Sequence, residues 1–149
     1  MKWRVVVVGV LAACVAASAK ATSIGRVTLA QMEQSSTVIF VGEFVDSSRV
    51  RLGGLPGQRY RFRTTRFLRG GPAGTVQLSV PDFPGLALGL EEGQRYLVFS
   101  ERRRFGSQKE VRLSATGYFQ GVYRLVGDRA VNDPNGVVVL DRLAMRLRR

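Results

Sequence analysis

At 149 residues and 45% hydrophobic content, the chain suits one globular domain and is not a disordered polymer. Its formal charge of +12, carried almost wholly by arginine, favours an anionic partner or a strongly solvated surface. Histidine is absent and Cys14 is the sole cysteine, which removes the usual neutral-pH general base, any internal disulfide and a Cys/His zinc site.

Met1 to Ala21 has the pattern of a signal peptide. Lys2 and Arg4 form a positive start, Val5 to Ala17 is an apolar run, and Ala17-Ser18-Ala19 or Ala19-Lys20-Ala21 supplies a small-residue cleavage site. The apolar run falls short of the roughly 20 residues that a permanent membrane helix needs. Leu11-Ala12-Ala13-Cys14 also fits a lipobox, with Cys14 acylated as the mature N-terminus. The expectation is export to the periplasm or medium, with membrane anchoring through Cys14 as the alternative. Residues 22–149 then form the mature domain.

Thr28 and Gln31 fit a capping box opening a short helix that ends near Ser35, with Leu29 and Met32 on one face. Thr37 to Val45 is a nearly continuous apolar strand, in which Gly42 marks a bulge or bend. Asp46 to Gly57 reads as a loop broken by Gly53, Gly54, Pro56 and Gly57. Gln58 to Leu68 alternates cleanly, with Tyr60 and Phe62 on one face and Arg59, Arg61 and Arg63 on the other, and is expected to be the central strand. Arg69 to Gly74 ends it.

Thr75 to Val80 predicts a third strand with Val76, Leu78 and Val80 inward. Pro81 to Gly93 is a long connection, and Arg95 to Phe99 a fourth strand. Ser100 to Lys109 is expected to be a charged hairpin tip. Val111 to Ser114, Tyr118 to Val126 and Arg129 to Val131 complete the sheet, with Gly127-Asp128 as a two-residue turn. Asp133-Pro134-Asn135-Gly136 is a turn, after which Leu140, Leu143, Ala144 and Leu147 have the spacing of an amphipathic terminal helix. The sum is a mainly β fold: a small antiparallel OB-like barrel of about five to seven strands, with a short helix before it and one after.

The candidate site residues are basic. Alternate side chains on a strand lie about 7 Å apart, a spacing suited to successive anionic groups, so Arg59, Arg61 and Arg63 are one candidate anion- or partner-binding stripe. Arg102, Arg103 and Arg104 are a second, suited to an anionic lipid surface. The alternative for both is a solvated face. Tyr60 and Phe62 face away from the arginines, so base stacking beside charge is not supported, and export makes nucleic acid an unexpected partner. Asp82, Glu91 and Glu92 are the only acidic cluster in the long connection, and nothing fixes them as a catalytic pair. No cofactor, metal or enzymatic activity is expected.

The succession Val38 to Val45, Arg59 to Gly70, Gly93 to Phe99 and Gly117 to Val126 resembles the secreted bacterial relatives of tissue inhibitors of metalloproteinases and netrin-type modules. The resemblance implies an OB-like barrel and a non-enzymatic role, with a protein partner. The animal inhibitors chelate their target's zinc through an N-terminal cysteine. Cleavage near Ala21 removes Cys14 here, and lipidation would block its amine, so that mechanism does not carry over.

Overall fold

The computed structural model describes residues 25–71, 74–83, 86–106, 110–133 and 135–149. The anticipated signal peptide and Cys14 lie outside them. Helix α1 (Leu29–Ser35) opens as its sequence requires. The Thr28 hydroxyl accepts from the Gln31 amide at 3.2 Å, and the Gln31 side chain accepts from the Thr28 amide at 2.8 Å. Its one fully buried residue is Met32.

Eight strands follow: β1 (Val38–Leu52), β2 (Leu55–Arg69), β3 (Thr75–Pro81), β4 (Arg95–Phe105), β5 (Glu110–Ala115), β6 (Val122–Val126), β7 (Arg129–Asn132) and β8 (Gly136–Val139). Helix α2 (Leu140–Leu147) ends the chain. All the strand pairs are antiparallel, in the order β3-β2-β1-β4-β6-β7-β8, with β5 also on β4. Strand β3 lies against β5, so β1 to β5 curl into the OB-like barrel, and β6 to β8 extend from β4.

Two apolar layers share the same two strands. Phe40 and Phe44 of β1 and Tyr96 and Val98 of β4 point into the barrel, where they meet Tyr60, Phe62 and Leu78. Ile39, Val41, Leu97 and Phe99 point the other way, against Met32, Tyr123, Val138, Leu140 and Leu143. Burial on both faces is why the start of β1 reads as an apolar run rather than an alternation. Phe62 is the hub inside the barrel, with ring centroids 5.6 Å from Phe40, 5.7 Å from Phe44 and 6.4 Å from Tyr96.

Several sequence expectations need correction. The Gln58 to Leu68 segment is not the central strand; β2 lies one strand from the sheet edge, and β1 and β4 join the two layers. Asp46 to Gly57 is not a loop. Gly53 and Gly54, both with positive φ, make a two-residue turn, and the flanking residues continue the β1–β2 hairpin as a polar ribbon. Gly57 sits within β2 because its backbone packs on Leu52, leaving no room for a Cβ. The supposed tip Ser100 to Lys109 is mostly strand, since buried Phe105 holds β4 in register with β5. Tyr118 to Gly121 is a 3-10 turn before β6, and β8 fills the stretch between the turn and α2. Among the described residues the sheet has eight strands, of which β1 to β5 form the barrel.

Other expectations stand. Gly42 lies at a register shift in β1, Val76, Leu78 and Val80 are buried, and Gly127-Asp128 joins β6 to β7. In α2, Leu140, Leu143 and Ala144 are buried and Leu147 is half-buried. Arg146 forms an ion pair with Glu33, joining α2 to α1.

Candidate functional site

The arginines of β2 lie on the outer face of the barrel, opposite Tyr60 and Phe62. The register places Arg63 across from Glu43 and Arg61 across from Asp46 on β1. Both are ion pairs; Arg63 Nη2 lies 2.7 Å from Glu43 Oε1. Glu43 and Asp46 are three residues apart and would face opposite ways on a regular strand. The register shift between Phe44 and Asp46 brings both carboxylates to the arginine face. Each such exposed pair contributes on the order of 0.2–1 kcal/mol.

Arg59 differs from its neighbours on the stripe. It is half-buried, makes no ion pair among the described residues, and its Nε is sealed from solvent without a hydrogen-bond partner there. It lies opposite Ser48 of β1 and Ser79 of β3, while Arg61 lies between Asp46 and Gln77. Arg59, Arg61, Asp46, Ser47, Ser48 and Gln77 line a cavity of about 310 Å³. Arg66, at the far end of β2, reaches Asp141 of α2 at 3.6 Å.

Arg102, Arg103 and Arg104 belong to β4 and do not join this cavity. Arg103 is held within the fold: its Nε donates to Glu101 at 2.7 Å, and its guanidinium lies 4.5 Å from the centre of the Tyr118 ring. Arg102 and Arg104 project outward on the same strand, exposed. Of the acidic cluster, Glu91 pairs with Arg124 at 3.2 Å. Among the described residues, no three His, Cys, Asp or Glu side chains come together to hold a metal, and no helix is long and apolar enough to cross a membrane.

The sequence did not disclose a groove on the other side of the molecule. Leu88 and Leu90 of the long connection, Phe119, Arg124, Val126 and Val131 wall a cavity of about 470 Å³. Val137 of β8 lies directly across from Val131, extending the apolar surface to the sheet edge. Val126 is 63% exposed and Val137 58%. The outward alternation of Val126 in β6 was the available signal; the contribution of Leu88 and Leu90 depends on how the connection folds back. Here the amides of Leu88 and Glu91 donate to the hydroxyls of Tyr60, at 3.5 Å, and Tyr96, at 2.9 Å.

Among the described residues, Tyr123 is the one ionisable group clearly displaced. Burial pushes its phenol up to about 12; the Asn135 side chain acts against the rise and the charge of Glu33 adds to it. It lies in the layer between the sheet and the helices, away from both cavities. No protein-family profile matches the chain, and no curated protein matches it.

Proposed function

We propose that the protein is a non-enzymatic interaction module, exported through its N-terminal segment, and that its partner is a protein. The observation that carries this reading is the groove of about 470 Å³ running to the valine edge of β8, in which Leu88, Leu90, Phe119, Val126 and Val131 stand beside the polar Glu91, Arg124, Asn132 and Asp133. Within the described residues, the outer edge of Gly136–Val139 pairs with no other strand. An unpaired edge offers backbone donors and acceptors to an added strand, and the groove beside it accepts apolar side chains. A partner presenting an extended apolar segment fits both. The resemblance to protein inhibitors supports the same reading, without their zinc-chelating terminus.

A second reading is electrostatic association with an anionic polymer or membrane surface, favoured by exposed Arg102 and Arg104 and by the charge of +12. The ion pairs of Arg61 and Arg63 count against a continuous polyanion track along β2. Salt separates the two readings. Photo-crosslinking from position 137 in the native host's envelope and medium fractions should give discrete protein adducts that survive 0.5 M salt. If adducts vanish with salt while retention on an anionic support falls steeply with log salt, the electrostatic reading replaces the first.

A further inference from the structure

We propose that the outer face of β1, β2 and β3 carries a discrete oxyanion site, centred on Arg59, for the phosphate of a phosphate monoester. A half-buried guanidinium ordinarily ends on a carboxylate, a carbonyl or water, because burying its charge and donors unpaired is costly. Even the exposed Arg61 and Arg63 end on carboxylates, those of Asp46 and Glu43. Among the described residues the Arg59 guanidinium ends on no carboxylate or carbonyl: its Nε is shut off from solvent without a partner, and its side chain lines the polar cavity.

Beside it the cavity supplies the other groups that a tetrahedral oxyanion uses. Ser47, Ser48 and Gln77 line it, and none of their side chains makes a hydrogen bond within the described residues. Two hydroxyls, one amide and one planar guanidinium are donors suited to a phosphate oxygen each, and the guanidinium can bind two oxygens at once. The strands fix their positions: Ser48 is directly across from Arg59, and Gln77 directly across from Arg61.

Charge sets the size of the ligand. Asp46 forms one wall and neutralises Arg61, and Glu43 neutralises Arg63, so the net positive charge of the cavity comes from Arg59 alone. Such a site binds one compact anion rather than a run of charges along a polymer. It lies on β1 to β3, whereas the groove lies against β6 and β7, so each reading stands or falls without the other.

Isothermal titration of the purified protein with inorganic phosphate and with glycerol 3-phosphate, in 150 mM sodium chloride, tests the site. Sedimentation with phosphatidylcholine vesicles containing phosphatidic acid tests whether a lipid presents the group. The expected result is saturable binding at one site per chain, weakened at least tenfold in Arg59→Gln and in the Ser48→Ala/Gln77→Leu double variant. Arg102→Gln should leave it unchanged. Binding to the free anions identifies a soluble ester; Arg59-dependent binding to vesicles alone identifies a lipid headgroup. The double variant keeps Arg59, so a folding failure of Arg59→Gln leaves the test intact. Absence of saturable binding to either probe overturns the proposal, as does equal weakening by Arg102→Gln.

Discussion

Replacing Phe62 with Ala is the most direct check on the barrel. Phe62 is 0% exposed and touches three other rings, those of Phe40, Phe44 and Tyr96. Truncating a buried Phe to Ala costs about 3–5 kcal/mol. Each edge or tilted ring contact adds about 0.5–1.5 kcal/mol beyond area, which puts Phe62 toward the upper end, about 5 kcal/mol. With a urea dependence of about 2 kcal/mol/M, the unfolding midpoint should fall by about 2.5 M. Arg61→Ala is the control on the same strand: it loses only an exposed ion pair and should cost less than about 1 kcal/mol. Circular dichroism across a urea series measures both. A cost below about 1 kcal/mol for Phe62→Ala, or one equal to that of Arg61→Ala, would refute the inward face of β2.

Gly53→Ala should cost about 1–3 kcal/mol more than Gly54→Ala in the same assay. Both glycines have positive φ, but only at Gly53 would a Cβ fall 2.2 Å from the Phe105 carbonyl oxygen, where the β1–β2 turn abuts the end of β4. Equal costs would mean that this contact is not a constraint. Asn132→Ala should cost about 1–3 kcal/mol, because the buried Asn132 amide donates to the carbonyls of Val122 at 2.7 Å and Phe119 at 2.9 Å, and Ala removes both bonds. A neutral result by thermal melting would remove that role. The absorbance of phenolate near 295 nm should show a step near pH 12 that Tyr123→Phe lacks. Since the folded value is raised above the unfolded value of about 10, this contribution to stability is complete below about pH 10 and is lost as pH rises through about 12. A missing step centred near pH 10 would contradict the burial of that phenol.

Alternation and capping were legible because they depend on neighbours in sequence. The faces of Tyr60 and Phe62, the box between Thr28 and Gln31, and the apolar stripe of α2 all follow from local spacing. The polar ribbon was hidden because Gly53, Gly54, Pro56 and Gly57 looked alike as breakers, although only the first two turn the chain. The same limit applies to the candidate site. All three arginines of the stripe were visible, but a bulge decides which carboxylates face them. Regular alternation puts Glu43 and Asp46 on opposite faces; the irregularity at Val45 puts them on one and leaves Arg59 unmatched. The extent of β4 depended on Phe105 finding the core, and no pattern within Ser100 to Lys109 announces that.

Because β1 and β4 wall both apolar layers, neither layer can melt while the other stays intact. The barrel and its flanking helices are therefore one cooperative unit, and the amides of Ile39 to Val41 and Leu97 to Phe99 should exchange with deuterium only through complete unfolding. The solvated part of the ribbon, around Asp46 to Arg49, lacks that double cover and is free to breathe on its own. The groups facing Arg59 from β1 sit on that breathing part, so an anion seated there would register as slowed exchange in a segment that otherwise opens independently of the core.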